Sequence, residues 1–139
     1  MVRTAALAAL VCYCVVVTNL TLMDPSSGAW AFDSAAHLAD AYSGGRMAWS
    51  ETEVLANVAL FVPVGFLLVL LLGRVWPAVV LGVLGSALIE VVQAEYLPLR
   101  VGTATDVLHN GYGAAIGALL ASPYVLLRAR RPSPVRRER

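Results

Sequence analysis

The chain has 139 residues, 59% of them hydrophobic and 14% charged, with a formal net charge of +1 and a mean hydropathy of +0.74. This composition excludes a disordered tail and an ordinary soluble domain. No basic stripe is interleaved with aromatic residues, which excludes a nucleic-acid-binding module.

Four apolar runs are long enough to cross a hydrocarbon core as helices, which takes about 20 residues each. They are continuously apolar rather than alternating, so a membrane β-barrel is rejected. The expected fold is all-α: a small polytopic membrane helical bundle over residues 1–127, with a basic tail at 128–139.

The first span covers about residues 5–23. A positive start, an apolar stretch and 29-AWA-31 also fit a cleaved signal peptide. The run is long for that role and Ala31 lies well beyond it, so a retained helix is expected; cleavage of residues 1–31 is the open alternative. Cys12 and Cys14 lie two apart within the span. Helix positions two apart face different directions, so these thiols are read as packing or lipid-facing residues.

A polar connection, 24–53, follows and contains 33-DSAAHLAD-40. On a helix Asp33, His37 and Asp40 share one face. They are read as the wet face of a short interfacial helix, with Trp30, Phe32 and Tyr42 anchoring near the headgroups and Gly44-Gly45 ending it. No metal is assigned to them.

The second span, about 54–72, contains 57-NVALFVPVGF-66. Pro63 removes a backbone hydrogen bond and is expected to kink the helix, and Gly65 admits a neighbouring helix. Gly73 and Arg74 alone separate this span from the third, 75–94, so the two are expected to be antiparallel neighbours. Pro77 near the start of the third span costs little there. Gly82 and Gly85 are read as close-packing positions. The same span holds 86-SALIEVVQAEY-96, and a charged side chain in mid-membrane costs roughly 2.5–3.5 kcal/mol on insertion scales. The fourth span, about 104–127, carries Asp106, His109 and Asn110, then 113-GAAIG-117, whose Gly113 and Gly117 spacing permits close helix contact.

All ten basic residues are arginine. Arg3, Arg74 and the tail arginines fall on one side of a four-span layout, Arg46 and Arg100 on the other. Arginine-rich short segments stay cytoplasmic, so an N-in/C-in arrangement is expected. The loops 24–53 and 95–103 then face outside, and the arginine tail is read as a topology anchor that can also meet anionic lipid.

Counting from the ends locates the polar residues. Asn57 lies 17 residues before Arg74 and Glu90 lies 16 after it, so both stand about 24–26 Å above that turn at ~1.5 Å per residue. Asn110 lies 18 residues above Arg128, about 27 Å on the same rise. Asn57, Glu90 and Asn110 are therefore expected at one height. Gln93 (i+3 from Glu90), Asp106 (i−4 from Asn110) and Arg100 in the adjoining loop are expected to join them. Intramembrane ionisable residues are candidates for function; a hydrogen-bonded clasp between helices is the plainer alternative.

The segments 57-NVALFVPVG-65, 86-SALIEVVQ-93 and 100-RVGTATDVLHNGYGAAIG-117 together resemble the VanZ-like family. Its pattern is Asn-x-x-x-Phe-x-Pro-x-Gly, then Ser-x-x-x-Glu-x-x-Gln, then an Arg followed by Asp-x-x-x-Asn-x-x-Gly. Many members carry two adjacent acids where this chain has Thr105-Asp106. The resemblance implies a multi-pass protein of the bacterial plasma membrane and cell envelope, and lowered sensitivity to teicoplanin-type glycopeptides. It carries over Asn57, Glu90, Gln93, Arg100, Asp106 and Asn110 as the candidate cluster.

Three functions follow. The cluster binds the headgroup of a membrane lipid, a lipid-linked cell-wall intermediate or another amphiphile, with Arg100 on phosphate or carboxylate. Alternatively, Glu90 or Asp106 is the general base of a membrane enzyme acting on such a lipid, or the cluster only locks a structural or assembly subunit. No cofactor is implied, and the oligomeric state is not readable.

Overall fold

In the computed structural model of the protein, the described residues are 1–22, 25–97 and 103–129. Six α-helices are present among them: α1 (Val2–Leu22), α2 (Pro25–Ser43), α3 (Trp49–Leu72), α4 (Val75–Tyr96), α5 (Ala104–Leu120) and α6 (Ser122–Ala129). The molecule is an all-helical bundle. Four stretches are long and apolar enough to cross a membrane: Val2–Leu22, Ser50–Leu72, Val75–Tyr96 and Ala104–Ala129. Most of their surface points away from the bundle, with Leu7, Val11, Leu84, Leu88, Leu119 and Leu127 among the exposed side chains. In lipid such a surface needs no cover, and only the seams between helices must be closed.

The helix boundaries follow local chemistry. α2 ends at Gly44 and Gly45, both with positive φ (63° and 76°). The Gly45 N–H returns to the Asp40 carbonyl at 3.2 Å, a six-to-one closure that satisfies a terminal carbonyl. α3 opens with the Ala48 N–H on the Glu51 carboxylate at 3.0 Å, which covers one of the orphan donors of a helix start. It then runs through Pro63 without a break. It stops at Gly73, whose φ of 70° suits glycine and whose N–H bonds the Val69 carbonyl at 2.7 Å. Near the other end of the fourth span, Pro123 supplies no N–H, and the helix is interrupted at Ala121, between α5 and α6.

α5 is the central helix. It packs more extensively against α3 and α4 than these two, joined by the Gly73-Arg74 turn, pack against each other. Small residues explain this. A Cβ on Gly113 would overlap the Val58 carbonyl, one on Gly117 the Val62 carbonyl, and one on Gly65 the Ala114 carbonyl. One on Gly82 would stand 2.6 Å from the Ala114 Cβ. Backbone therefore lies on backbone along the α3–α5 seam, as small residues permit. Gly85 differs from its expected packing role, because a Cβ there would meet open space; it lies on α4 away from the α5 seam.

Two apolar layers fill the interior. Leu68, Val69, Ala78, Ala118 and Ala121 form one near the Gly73-Arg74 turn, and Val17, Phe61 and Ala114 form the other. α1 is fastened by Leu10 against the first layer, Val17 within the second, and the Tyr13 hydroxyl donating to the Leu60 carbonyl at 2.9 Å. Cys12 and Cys14 are free and exposed. The Arg3 guanidinium lies beside Gly73, which puts the start of α1 at the turn end of the bundle. On α2, Asp33, His37, Asp40 and Tyr42 are exposed. The anchoring expected of Trp30 and Phe32 concerns side chains outside the described set.

Candidate functional site

The end of the bundle opposite the Gly73-Arg74 turn collects the polar side chains. It brings together the early turns of α3, the last turns of α4 and the first turn of α5. Thr103 builds the α5 contribution. It caps the helix: its hydroxyl accepts the Asp106 N–H at 3.2 Å and donates to Asp106 Oδ2 at 2.7 Å. That exchange satisfies one orphan donor of the helix start and holds the acid in a single orientation.

Asn57 completes Asp106 from α3, its Nδ2 donating to Oδ1 at 2.9 Å. Each oxygen of Asp106 thus has a neutral donor. Glu90 approaches from α4: the Ser86–Asn110 hydrogen bond sets α4 against α5, and Glu90 and Asp106 each stand four residues, about one turn, above those two residues on the same side. The Glu90 Oε2 is buried and has no partner. One turn deeper, Asn110 Nδ2 donates to Ser86 Oγ at 2.9 Å across the α4–α5 seam. Ser86 is fully buried and Asn110 is 4% exposed. The Asn110 Oδ1 there lacks a donor, and the buried Nδ1 of His109 has no hydrogen-bond partner. The stack therefore runs from exposed Thr103 to buried Asn110 and Ser86.

Asn57, Glu90 and Asp106 meet. Asn110 sits one layer below them rather than beside them. Its partner Ser86 lies 12 residues past Arg74, about 18 Å up at 1.5 Å per residue, against the 27 Å expected from Arg128. The contacts of α5 with α4 are the reason: Ala114 meets Gly82, and Ala118 and Ala121 share an apolar layer with Ala78 near the Gly73-Arg74 turn. Arg128 therefore lies beyond the level of Arg74, and counting from it sets α5 about 1.7 turns too high. Asp106, four residues above Asn110, then takes the place expected of Asn110.

Gln93 turns elsewhere. Its Nε2 donates to the Thr21 carbonyl at 2.8 Å, satisfying one of the free carbonyls at the end of α1 and tying α4 to that helix. Arg100 lies outside the described residues. Pro63, Gly65, Gly113 and Gly117 lie in α3 and α5, where the three glycines set the closeness of the seam below the cluster. Two residues that sequence reasoning passed over are Thr103 and Thr21. The first had a signal: 103-TATD-106 ahead of an apolar run is a helix-start pattern. The second had none, because a backbone carbonyl is the acceptor.

Among the described residues, no group of three His, Cys, Asp or Glu side chains could hold a metal ion. The helices α3, α4 and α5 contain no Arg or Lys. The arrangement is an acid pair inside a frame of neutral donors, with spare acceptor atoms, open at one end. It can accept hydrogen bonds, hold a positive charge, or relay a proton.

A model of the VanZ/LLP1 family matches residues 7–128. No curated protein and no solved structure matches the chain.

Proposed function

Because the chain belongs to the VanZ/LLP1 family, we propose that it is an envelope factor of the bacterial plasma membrane. Its N- and C-termini are cytoplasmic, and the Asn57–Glu90–Asp106 cluster opens to the outer surface. There the cluster binds the headgroup of a membrane lipid, a lipid-linked cell-wall intermediate or another amphiphile, and this lowers sensitivity to teicoplanin-type glycopeptides. One observation carries the reading: the Glu90 Oε2 is buried with no partner at the open end of a polar stack. A buried acceptor without a donor costs about 1–3 kcal/mol, which a pure clasp between helices has no reason to bear and a ligand's donor relieves.

The test is teicoplanin susceptibility of a sensitive host expressing the wild type, Glu90→Gln or an empty vector, at matched membrane levels. Protection by the wild type alone is the expected result. Equal sensitivity of all three overturns the resistance role. If Glu90→Gln protects as well as the wild type and differs only in thermal stability, the cluster is structural.

The closeness of Glu90 and Asp106 favours a second reading, an enzyme that acts on a lipid or cell-wall intermediate. Two neighbouring carboxyls can divide acid and base roles between them, with Glu90 or Asp106 as the general base. Turnover of a labelled lipid substrate by purified protein separates this reading from binding.

A further inference from the structure

We infer that the ligand group recognised by this site is a primary ammonium, of the kind an aminophospholipid headgroup carries. The inference rests on the headgroup-binding reading above and names its chemistry. Three observations lead to it.

The first is charge. The Ser86–Asn110 bond sets the register of α4 on α5, so that Glu90 and Asp106, one turn above those residues, face the same end of the bundle, and α3, α4 and α5 supply no Arg or Lys. A negatively charged phosphate at that point meets two acids; a cation meets complementary charge. The second is hydrogen-bond polarity. Asp106 already has Asn57 and Thr103 as donors, whereas Glu90 Oε2 has none. The third lies deeper and is independent of the acids. Asn110 is almost fully buried, its amide is held in the α4–α5 seam by Ser86 Oγ, and its Oδ1 has no donor. Glu90 Oε2 and Asn110 Oδ1 are both acceptors, so among the described residues the site is short of donors.

A primary ammonium supplies three N–H donors and a positive charge in one group. A quaternary ammonium supplies the charge without the donors, and a glycerol headgroup supplies donors beside an uncompensated phosphate. The predicted order is therefore primary ammonium above quaternary ammonium and above anionic glycerol headgroups. Carboxylate-to-ammonium bonds are charge-assisted and among the stronger hydrogen bonds.

The experiment is native mass spectrometry of the full chain in detergent with equimolar phosphatidylethanolamine, phosphatidylcholine and phosphatidylglycerol of identical acyl chains. A parallel arm follows thermal unfolding in a choline-headgroup detergent with free ethanolamine. The expected result is an ethanolamine-lipid preference of about tenfold over the choline lipid, the size of one charge-assisted hydrogen bond, that Glu90→Gln reduces to parity. If Glu90→Gln does not fold, Asp106→Asn serves in its place. Ethanolamine alone raising the unfolding temperature of the wild type, but not of the variant, supports the same amine chemistry with a soluble source. Retention of the choline or glycerol lipid equal to or above the ethanolamine lipid, still dependent on Glu90, overturns the amine and leaves the headgroup site. An ethanolamine-lipid preference that neither variant changes overturns its placement here. No Glu90-dependent lipid retention and no ethanolamine effect overturn both readings.

Discussion

Glu90 and Asn110 show how little room separates a polar clasp from a binding site in a helical bundle. Asn110 is almost fully buried and Glu90 is partly so, and each leaves a buried acceptor atom unmatched. Ser86 is the simplest probe of the lower layer. Ser86→Ala removes the acceptor of the Asn110 amide and leaves a second atom of that side chain unpaired. The expected loss is about 1 kcal/mol, in the range of hydrogen bonds within membrane bundles, measured by unfolding in detergent. Asn57→Ala acts on the upper layer by freeing Asp106 Oδ1. It is expected to weaken glycopeptide protection without removing the fold, because the Thr103 hydroxyl still orients the acid. Full protection by a normally expressed Asn57→Ala variant counts against a role for that bond.

At the scale of elements, closeness of backbones decides the bundle. Gly113 and Gly117 let α5 lie on α3 so tightly that a methyl group would overlap main-chain atoms. Backbone cannot retreat as a flexible side chain can. Gly117→Leu is expected to destabilise by at least the ~1–3 kcal/mol typical of overpacking, and to lower expression. Gly85→Ala is the matched control. Its Cβ points into open space, and alanine in a helix interior is favoured over glycine by roughly 0.5–1 kcal/mol. Unfolding midpoints that move in opposite directions for the two variants are the expected outcome; a harmless Gly117→Leu shows that α3 and α5 can part without loss. The same closeness positions the site, since it sets the register at which Asn57 reaches Asp106.

For the whole molecule, the exposed leucines and valines make sense only in lipid, and orientation becomes the first property to measure. The proposed arrangement puts the α2–α3 connection outside and the α3–α4 turn inside. In a variant lacking Cys12 and Cys14, Gly44→Cys is expected to react with a membrane-impermeant maleimide in intact cells. Arg74→Cys is expected to react only after the membrane is opened. The reverse pattern inverts the bundle and removes the cluster from the outer surface.

Much of this protein is determined by its sequence alone. Four long apolar runs cannot stay in water, and a helix is the form in which each satisfies its own backbone in lipid, so the spanning helices follow from composition and length. The site residues on α3, α4 and the start of α5 were legible for a related reason: a polar group within an apolar run is costly and stands out. Their pairing was not. The short turn made α3 and α4 antiparallel neighbours, which they are, but it gave no sign that the contact of small residues makes α5 the centre. Counting along the chain set Asn110 beside Glu90, whereas the packing of Ala114 on Gly82 and of Asn110 on Ser86 sets α5 lower and brings Asp106 there instead. Gln93 found a carbonyl of α1, and no residue type advertises that. Depth along one helix can be counted from its ends, but the register between two helices depends on where their surfaces touch most closely, and only the tertiary structure decides that.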